Sequence, residues 1–418
     1  LTSLNQHLDP AWLREAYRRT RKDGAAGVDG QTAADYEKDL EGNLRSLLDR
    51  AKSGMYRAPP VRRVHIPKGT GGDTRPIGIP TLEDKVLQRA VVMLLEPIYE
   101  RDFYDCSYGF RPHRSAHDAL DSLSKQTMWG GVACILEVDI QKFFDTLDHG
   151  HLRAFLQQRV RDGVVLRLIG KWLNAGVLED GAVTYPESGS PQGGVVSPLA
   201  ANVYLHSVLD EWFAQEVLPR LRGRAYLVRY ADDFVIGFTD AEDARRVMEV
   251  LPKRFGKYGL TIHPDKTRLV SFRKPAGDRQ PPDADGPGTF DFLGFTHFWA
   301  RSRKGTWILK RKTATSRFTR AVRTIALWCR CHRHDPIDEQ HTALCQKLLG
   351  HAGYYGITGN SPALARFRYE VQKVWRKWLL RRRRAWREPW NWFRRLLARF
   401  PLPSLHAIHS RCRGVANG

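Results

Sequence analysis

Three aspartates carry the chemistry that this sequence offers first. Asp232 and Asp233 sit side by side in "RYADDFVIGF" (Arg229 to Phe238), with Leu227, Val228 and Tyr230 before them and Phe234, Val235, Ile236 and Phe238 after. The flanks have strand chemistry, so the pair falls at a hairpin turn, where adjacent carboxylates repel and burial adds a desolvation cost. Asp139 ends the apolar run "VACILEVDI" and precedes "QKFFDTLDH". If that strand lies beside the hairpin, three carboxylates converge on one sheet edge, an arrangement that requires divalent cations. Hard Mg2+ ions, held by carboxylates and substrate phosphates, meet the requirement, and two of them stabilise both the attacking and the leaving oxygen of an in-line phosphoryl transfer. Taken singly, Asp139 is accounted for as a helix cap and the Asp pair as turn residues. Turn chemistry does not account for their pairing with "VDIQKFF" and "YADD".

The elements that must position these groups read as irregularly interspersed helices and strands. "DPAWLREAYRRT" and "AADYEKDLEGNLRSLLDRAKSG" open the chain as helices, and "APPVRRVHIPKGTGGDTRPIGIP" reads as a basic hairpin around a glycine-rich turn. "LEDKVLQRAVVMLLEPIYERDF" is a periodic helix, and "GSPQGGVVSPLAANVYLHSVLDEWFAQEVLP" is a Gly/Pro turn feeding another. The polar stretch "KPAGDRQPPDADGPG" is the main internal punctuation, and residues 310–385 beyond it read as helical and basic. Without a strict βαβ rhythm, the expected class is α+β with an antiparallel sheet.

A chain of 418 residues implies two or three domains. No stretch approaches about 18 consecutive apolar residues, and no secretory signal opens the chain, so a cytoplasmic, nucleoid-associated setting without membrane contact is expected. The net charge is +22, and residues 301–418 hold 27 of the 67 basic residues but only 5 of the 45 acidic ones. The whole excess therefore lies in the last third, where a polyanion is the natural partner. "CRCHRHDPIDEQHTALC" (Cys329 to Cys345) gathers three Cys and three His, but no Cys-x-x-Cys pair is present, and a helix carrying them by chance is the favoured account over zinc.

"YADD", "VDIQKFFDTLDH", "GSPQGGVVSPLAANVYL", "RPIGIPTLEDKVLQRAV" and "YGFRPHRSAHDAL" together resemble the ordered blocks of reverse transcriptases. More narrowly they resemble the group II intron-encoded reverse transcriptase/maturase lineage, over nearly the whole chain. The resemblance implies a right-hand polymerase. Its parts are an N-terminal extension (1–50), fingers and palm (51–300), a helical thumb or maturase domain (301–385) and a basic C-terminal DNA-binding segment (386–418). It implies that Asp139, Asp232 and Asp233 hold two Mg2+ ions, Mn2+ being a substitute, with help from the Ile140 carbonyl. It also implies that Phe143 is the aromatic gate against a 2′-OH, Phe144 remaining in the core. Lys68 and Arg75 grip the dNTP triphosphate, Gln192 contacts nucleotide and template, and Lys266 acts near the leaving pyrophosphate. Arg111 and Arg114 fall to the template backbone, with pairing to carboxylates as an equal alternative.

In the thumb, Arg366, Arg368, Lys373, Arg376 and Lys377 interleave with Tyr354, Tyr355, Trp375 and Trp378, and Arg381, Arg382, Arg383 and Arg384 follow as a run. Such surfaces suit nucleic acid, although Trp375 and Trp378 are equally accounted for by helix packing. The implied partners are an RNA template, a DNA primer, dNTPs, an intron RNA and target DNA. The expected function is RNA-directed DNA synthesis with a role in intron splicing and mobility. Two other readings stay open: a chain acting mainly as an RNA-folding maturase, and a relative serving its host in DNA repair or defence.

Overall fold

The computed structural model describes residues 1–67, 74–185, 188–189, 193–275, 288–382 and 389–409. Two compact units are present, one of residues 1–66 and 74–274, the other of residues 67–73 and 275–418.

The first unit holds two four-stranded sheets. One has the order β2-β1-β4-β5, from β1 (Val61–Pro67), β2 (Thr74–Ile79), β4 (Val177–Glu179) and β5 (Ala182–Thr184). Its β1–β4 pairing is parallel, which needs a long connection between the two strands, and β4–β5 is antiparallel. The other sheet has the order β6-β7-β3-β8, from β3 (Cys134–Val138), β6 (Ala225–Tyr230), β7 (Asp233–Phe238) and β8 (Arg268–Ser271), antiparallel throughout. Alternation divides its side chains. Leu136, Val138, Leu227, Phe234 and Ile236 join the core formed with the surrounding helices, whereas Asp139, Tyr230 and Asp233 fall on the opposite set of positions.

Those helices are specified locally. Thr81 caps Leu82–Glu100 by accepting from the Asp84 N–H, and Ser115 and Asp118 form a capping box on Ala116–Trp129. Asp240 caps Ala241–Gly256. Ser197–Leu205 is α-helical and then loosens into π-helical turns at His206–Asp210 and Phe213–Val217.

The second unit combines a three-stranded sheet, β11-β10-β9, with helices Thr315–Cys331, Ile337–Tyr355, Ser361–Leu380 and Pro389–Arg399. The strands are β9 (Phe290–Phe292), β10 (Phe295–Arg301) and β11 (Trp307–Thr313). The start of the stretch expected to be helical from residue 310 is thus the second half of β11, which pairs along its full length with β10. Asn360 ties sheet to helices, accepting from the Thr313 N–H at 3.0 Å and donating to Thr313 Oγ1 at 2.9 Å. Leu344, Leu348, Leu364, Phe367, Val371 and Trp375 make the core, and no helix among the described residues is long and apolar enough to cross a membrane.

Candidate active site

The register of β3 against β7 decides whether the carboxylates meet. Val138 pairs with Phe234, so one step on, Asp139 comes opposite Asp233. Tyr230 pairs with Asp233, leaving Ala231 and Asp232 as a two-residue turn with Ala231 at φ +56°. All three aspartates therefore share one end of the sheet. Burial holds the Asp232 pKa above the ordinary carboxyl range, and the charge of Asp139 adds to this, while Arg75 and Arg229 oppose it. Arg75, exposed on β2, is thus within electrostatic reach of the turn.

Asp139 is fixed from its other side. Its carbonyl accepts from the His263 N–H at 2.8 Å, and the Gln141 N–H donates to the Thr261 carbonyl at 2.8 Å. This pattern, the antiparallel bridge between Ile140 and Ile262, directs the Ile140 carbonyl away from residues 261–263 and toward the β7 side. A turn at His263 brings Lys266 round, and its Nζ donates to Asp139 Oδ2 at 2.9 Å. On the same set of sheet positions Glu137 is neutralised by Arg268.

The donor set suits a hard divalent cation: carboxylates and a main-chain carbonyl at one edge, with a charge clash that a cation relieves. Among the described residues no three or more His, Cys, Asp or Glu side chains are drawn close enough to hold an ion as they stand, and Asp139 is paired with Lys266. The fit is one of residue type and backbone placement.

The hairpin carrying the turn rests on groups that spacing did not reveal. Arg229 is fully buried, donating from Nε to Asp210 Oδ1 at 2.8 Å and from Nη2 to Asp210 Oδ2 at 2.5 Å. Its Nη1 reaches Asn202 Oδ1 at 3.1 Å and the Ala231 carbonyl at 3.0 Å. Burial works against the Asp210 charge, but Arg229 prevails and holds its pKa below the ordinary range. The segment Ser107–Arg111 lies alongside, with the Tyr108 N–H on the Arg229 carbonyl at 2.9 Å and Asn202 Nδ2 on the Gly109 carbonyl at 2.8 Å. "RYADD" hinted at Arg229; its partners lie too far away in sequence to be read.

The surroundings of the other expected site residues are as follows. Phe143, expected as the sugar gate, is 2% exposed, its ring against Phe144 at 5.3 Å and Tyr204 at 6.3 Å. Lys142 in the left-handed region, φ +43°, starts the short helix that turns the ring inward. Arg111 is buried, its guanidinium spent on Glu100 and on the Tyr104 and Ser107 carbonyls. Arg114 is held by Asp105 at 2.6 Å and the Ser107 carbonyl at 3.3 Å. Both arginines brace a loop through these bonds, the carboxylate pairing that was the equal alternative to template contact.

In the second unit Trp375 is core, donating to Gln340 Oε1 at 3.0 Å, whereas Trp378 is half-buried beneath Arg381. Arg368 is half-buried and bonds the Leu402 carbonyl at 3.0 Å, and Arg382 bonds the carbonyls of His334 and Asp335, so these two brace the fold. Arg376 stacks on Trp390 at 3.3 Å. Arg366, Lys373, Lys377 and Arg381 are exposed, with Lys373 3.2 Å from Glu370. Cys329 is buried in the core, and Cys345 meets only His341, at 3.3 Å, so zinc has no ligand set among the described residues. Lys68, Gln192, Arg383 and Arg384 lie outside the described residues.

The family described as reverse transcriptase (RNA-dependent DNA polymerase) matches residues 66–297. Protein YkfC of Escherichia coli (strain K12) is 35% identical over 335 residues, 71% of this chain and 82% of that protein. The group II intron-encoded protein LtrA of Lactococcus lactis subsp. cremoris is 42% identical over 175 residues, 42% of this chain and 29% of that one. A structure of telomerase from Candida albicans with a telomeric RNA fragment aligns over 88% of this chain and 68% of its own, at TM-score 0.47 and 14% identity. The chain belongs to the reverse transcriptases, α+β right-hand RNA-directed DNA polymerases, and is related to the group II intron-encoded proteins.

Proposed function

We propose that Asp139, Asp232 and Asp233, with the Ile140 carbonyl, form the metal-holding edge at which this reverse transcriptase extends a primer. The observation that carries the reading is the β3–β7 register, which sets Asp139 opposite the YADD turn. The primer 3′-OH attacks the α-phosphate of a dNTP and pyrophosphate leaves. Two Mg2+ ions held by these groups would supply charge neutralisation for the in-line phosphoryl transfer. Arg75 on the fingers hairpin grips the triphosphate as a fork, and Lys266 holds a proton toward the leaving pyrophosphate. Gln192 and Lys68 are assigned to nucleotide contact by their motifs alone.

In the metal-free protein burial holds the Asp232 pKa above the ordinary carboxyl range, and a bound cation would oppose that shift. The test is primer extension on a heteropolymeric RNA template with dNTPs and Mg2+. Full-length cDNA from the wild type and none from Asp232→Ala is the expected result; a folded, RNA-binding wild type that makes no cDNA overturns the assignment.

We further infer that the RNA partner is a structured intron-like RNA, held largely by the basic second unit. The likeness to LtrA and the charge of residues 301–418 support this. Intron RNA flanking the gene separates this role from service to the host.

A further inference from the structure

Phe110 sits in "YGFRP" and is an anomaly in the fold. It is 54% exposed, and its backbone lies at φ +57°, a region that bulky residues avoid. Neither feature comes from a loose loop. Tyr108 is bonded to Arg229, and the Gly109 carbonyl is held by Asn202. Gly109 packs so closely on the Ala231 backbone that no Cβ fits there. Arg111, the next residue, is locked in its carboxylate and carbonyl cage. Braced on both sides, the chain holds an apolar ring in water.

An aromatic ring lies beside it. Phe110 lies 6.4 Å from Tyr230, the tyrosine of YADD, which is half-buried on the same set of sheet positions as Asp139 and Asp233. Two aromatic rings therefore border the carboxylate edge. We propose that Phe110 and Tyr230 form a platform against which the terminal nucleotide of the primer strand packs, placing its 3′-OH at the carboxylates. This rests on the assignment of Asp139, Asp232 and Asp233 as the reacting edge. Apolar packing against sugar and base is indifferent to sequence, as a polymerase requires, because every nucleotide offers the same kind of face.

The strain makes the proposal separable from a structural role. Glycine adopts φ +57° without penalty, so Phe110→Gly leaves the melting temperature equal or higher. The same variant weakens template–primer binding about tenfold, the size of one lost stacking contact. The KM for dNTP stays unchanged, and Phe110→Tyr restores binding. A wild type inactive in extension defeats the reading of the aspartates, whatever Phe110 does. An active wild type with unchanged template–primer affinity in Phe110→Gly overturns the platform alone, as does a lower melting temperature sufficient to account for weaker binding. A 4-thiothymidine at the primer terminus should crosslink to wild type and not to Phe110→Gly. Crosslinking only from the templating position assigns the ring to the template and overturns the primer contact.

Discussion

At Phe143 two demands fall on one ring. Its contacts with Phe144 and Tyr204 make it part of the core, and truncating such a ring costs about 3–5 kcal/mol. By resemblance, we propose its position four residues after Asp139 as the sugar gate. The first demand predicts that Phe143→Ala unfolds at markedly lower denaturant, while Phe143→Leu, closer in volume, costs less. The second predicts that Phe143→Ala, assayed where it remains folded, uses ribonucleotides more readily relative to deoxynucleotides. Lost stability with an unchanged nucleotide ratio leaves packing as the whole role. Residue types alone cannot separate these roles, because a gate and a core side chain are both large, apolar and next to a strand end. Arg111 illustrates the same limit. A guanidinium facing phosphate and one caged by Glu100 and two carbonyls look alike in sequence.

Among the elements, the hairpin is the one whose placement matters most, and its support is a buried ion pair. Asp210 lies in a π-helical turn and Arg229 in β6, and Arg229 also fixes the carbonyl of left-handed Ala231. Removing Asp210 alone leaves a buried unpaired guanidinium, so Asp210→Ala costs about 3–5 kcal/mol. Replacing both groups by apolar ones of similar size, Asp210→Leu with Arg229→Met, recovers most of that stability. Activity is not recovered, because the bond to the Ala231 carbonyl is gone and the turn loses its anchor. Melting temperature and kcat measured on both variants check this, and a double variant with full kcat refutes the anchor.

The hairpin itself was legible in sequence, since an acidic pair between apolar runs has few other solutions, although only Asp232 is in the two-residue turn and Asp233 opens β7. The strand carrying Asp139 was legible as a continuous apolar run. β11 was not: Lys310, Arg311 and Lys312 read as the start of a basic helix, while the alternation that buries Leu309, Arg311 and Thr313 is short and places a charged residue inward. The support of the hairpin was invisible, because Asn202, Asp210 and Arg229 become neighbours only through folding.

For the whole molecule, the separation of charge is the governing fact. The chain to residue 300 is balanced and the remainder carries the entire +22, so chemistry and polyanion binding are assigned to different stretches. Not all of that charge is available for binding. Arg368 and Arg382 are engaged by main-chain carbonyls, and Lys373 leans on Glu370. Arg366, Lys377 and Arg381 remain exposed on or just beyond helix Ser361–Leu380. Each phosphate neutralised releases counterion, so log Kd for RNA should rise linearly with log salt, with a slope of about 0.7 per contact on single strands. Reversing Arg366 and Lys377 to Glu should lower that slope by about 1.4 or more, weakening binding alike across sequences. The same reversals of Arg368 and Arg382 should instead lower the melting temperature, since they break bonds within the fold. If the two pairs behave alike in both assays, the division between binding and bracing cations is wrong. If only the exposed pair changes the salt slope, the helix surface binds RNA through its phosphates, and sequence choice must come from elsewhere in the chain.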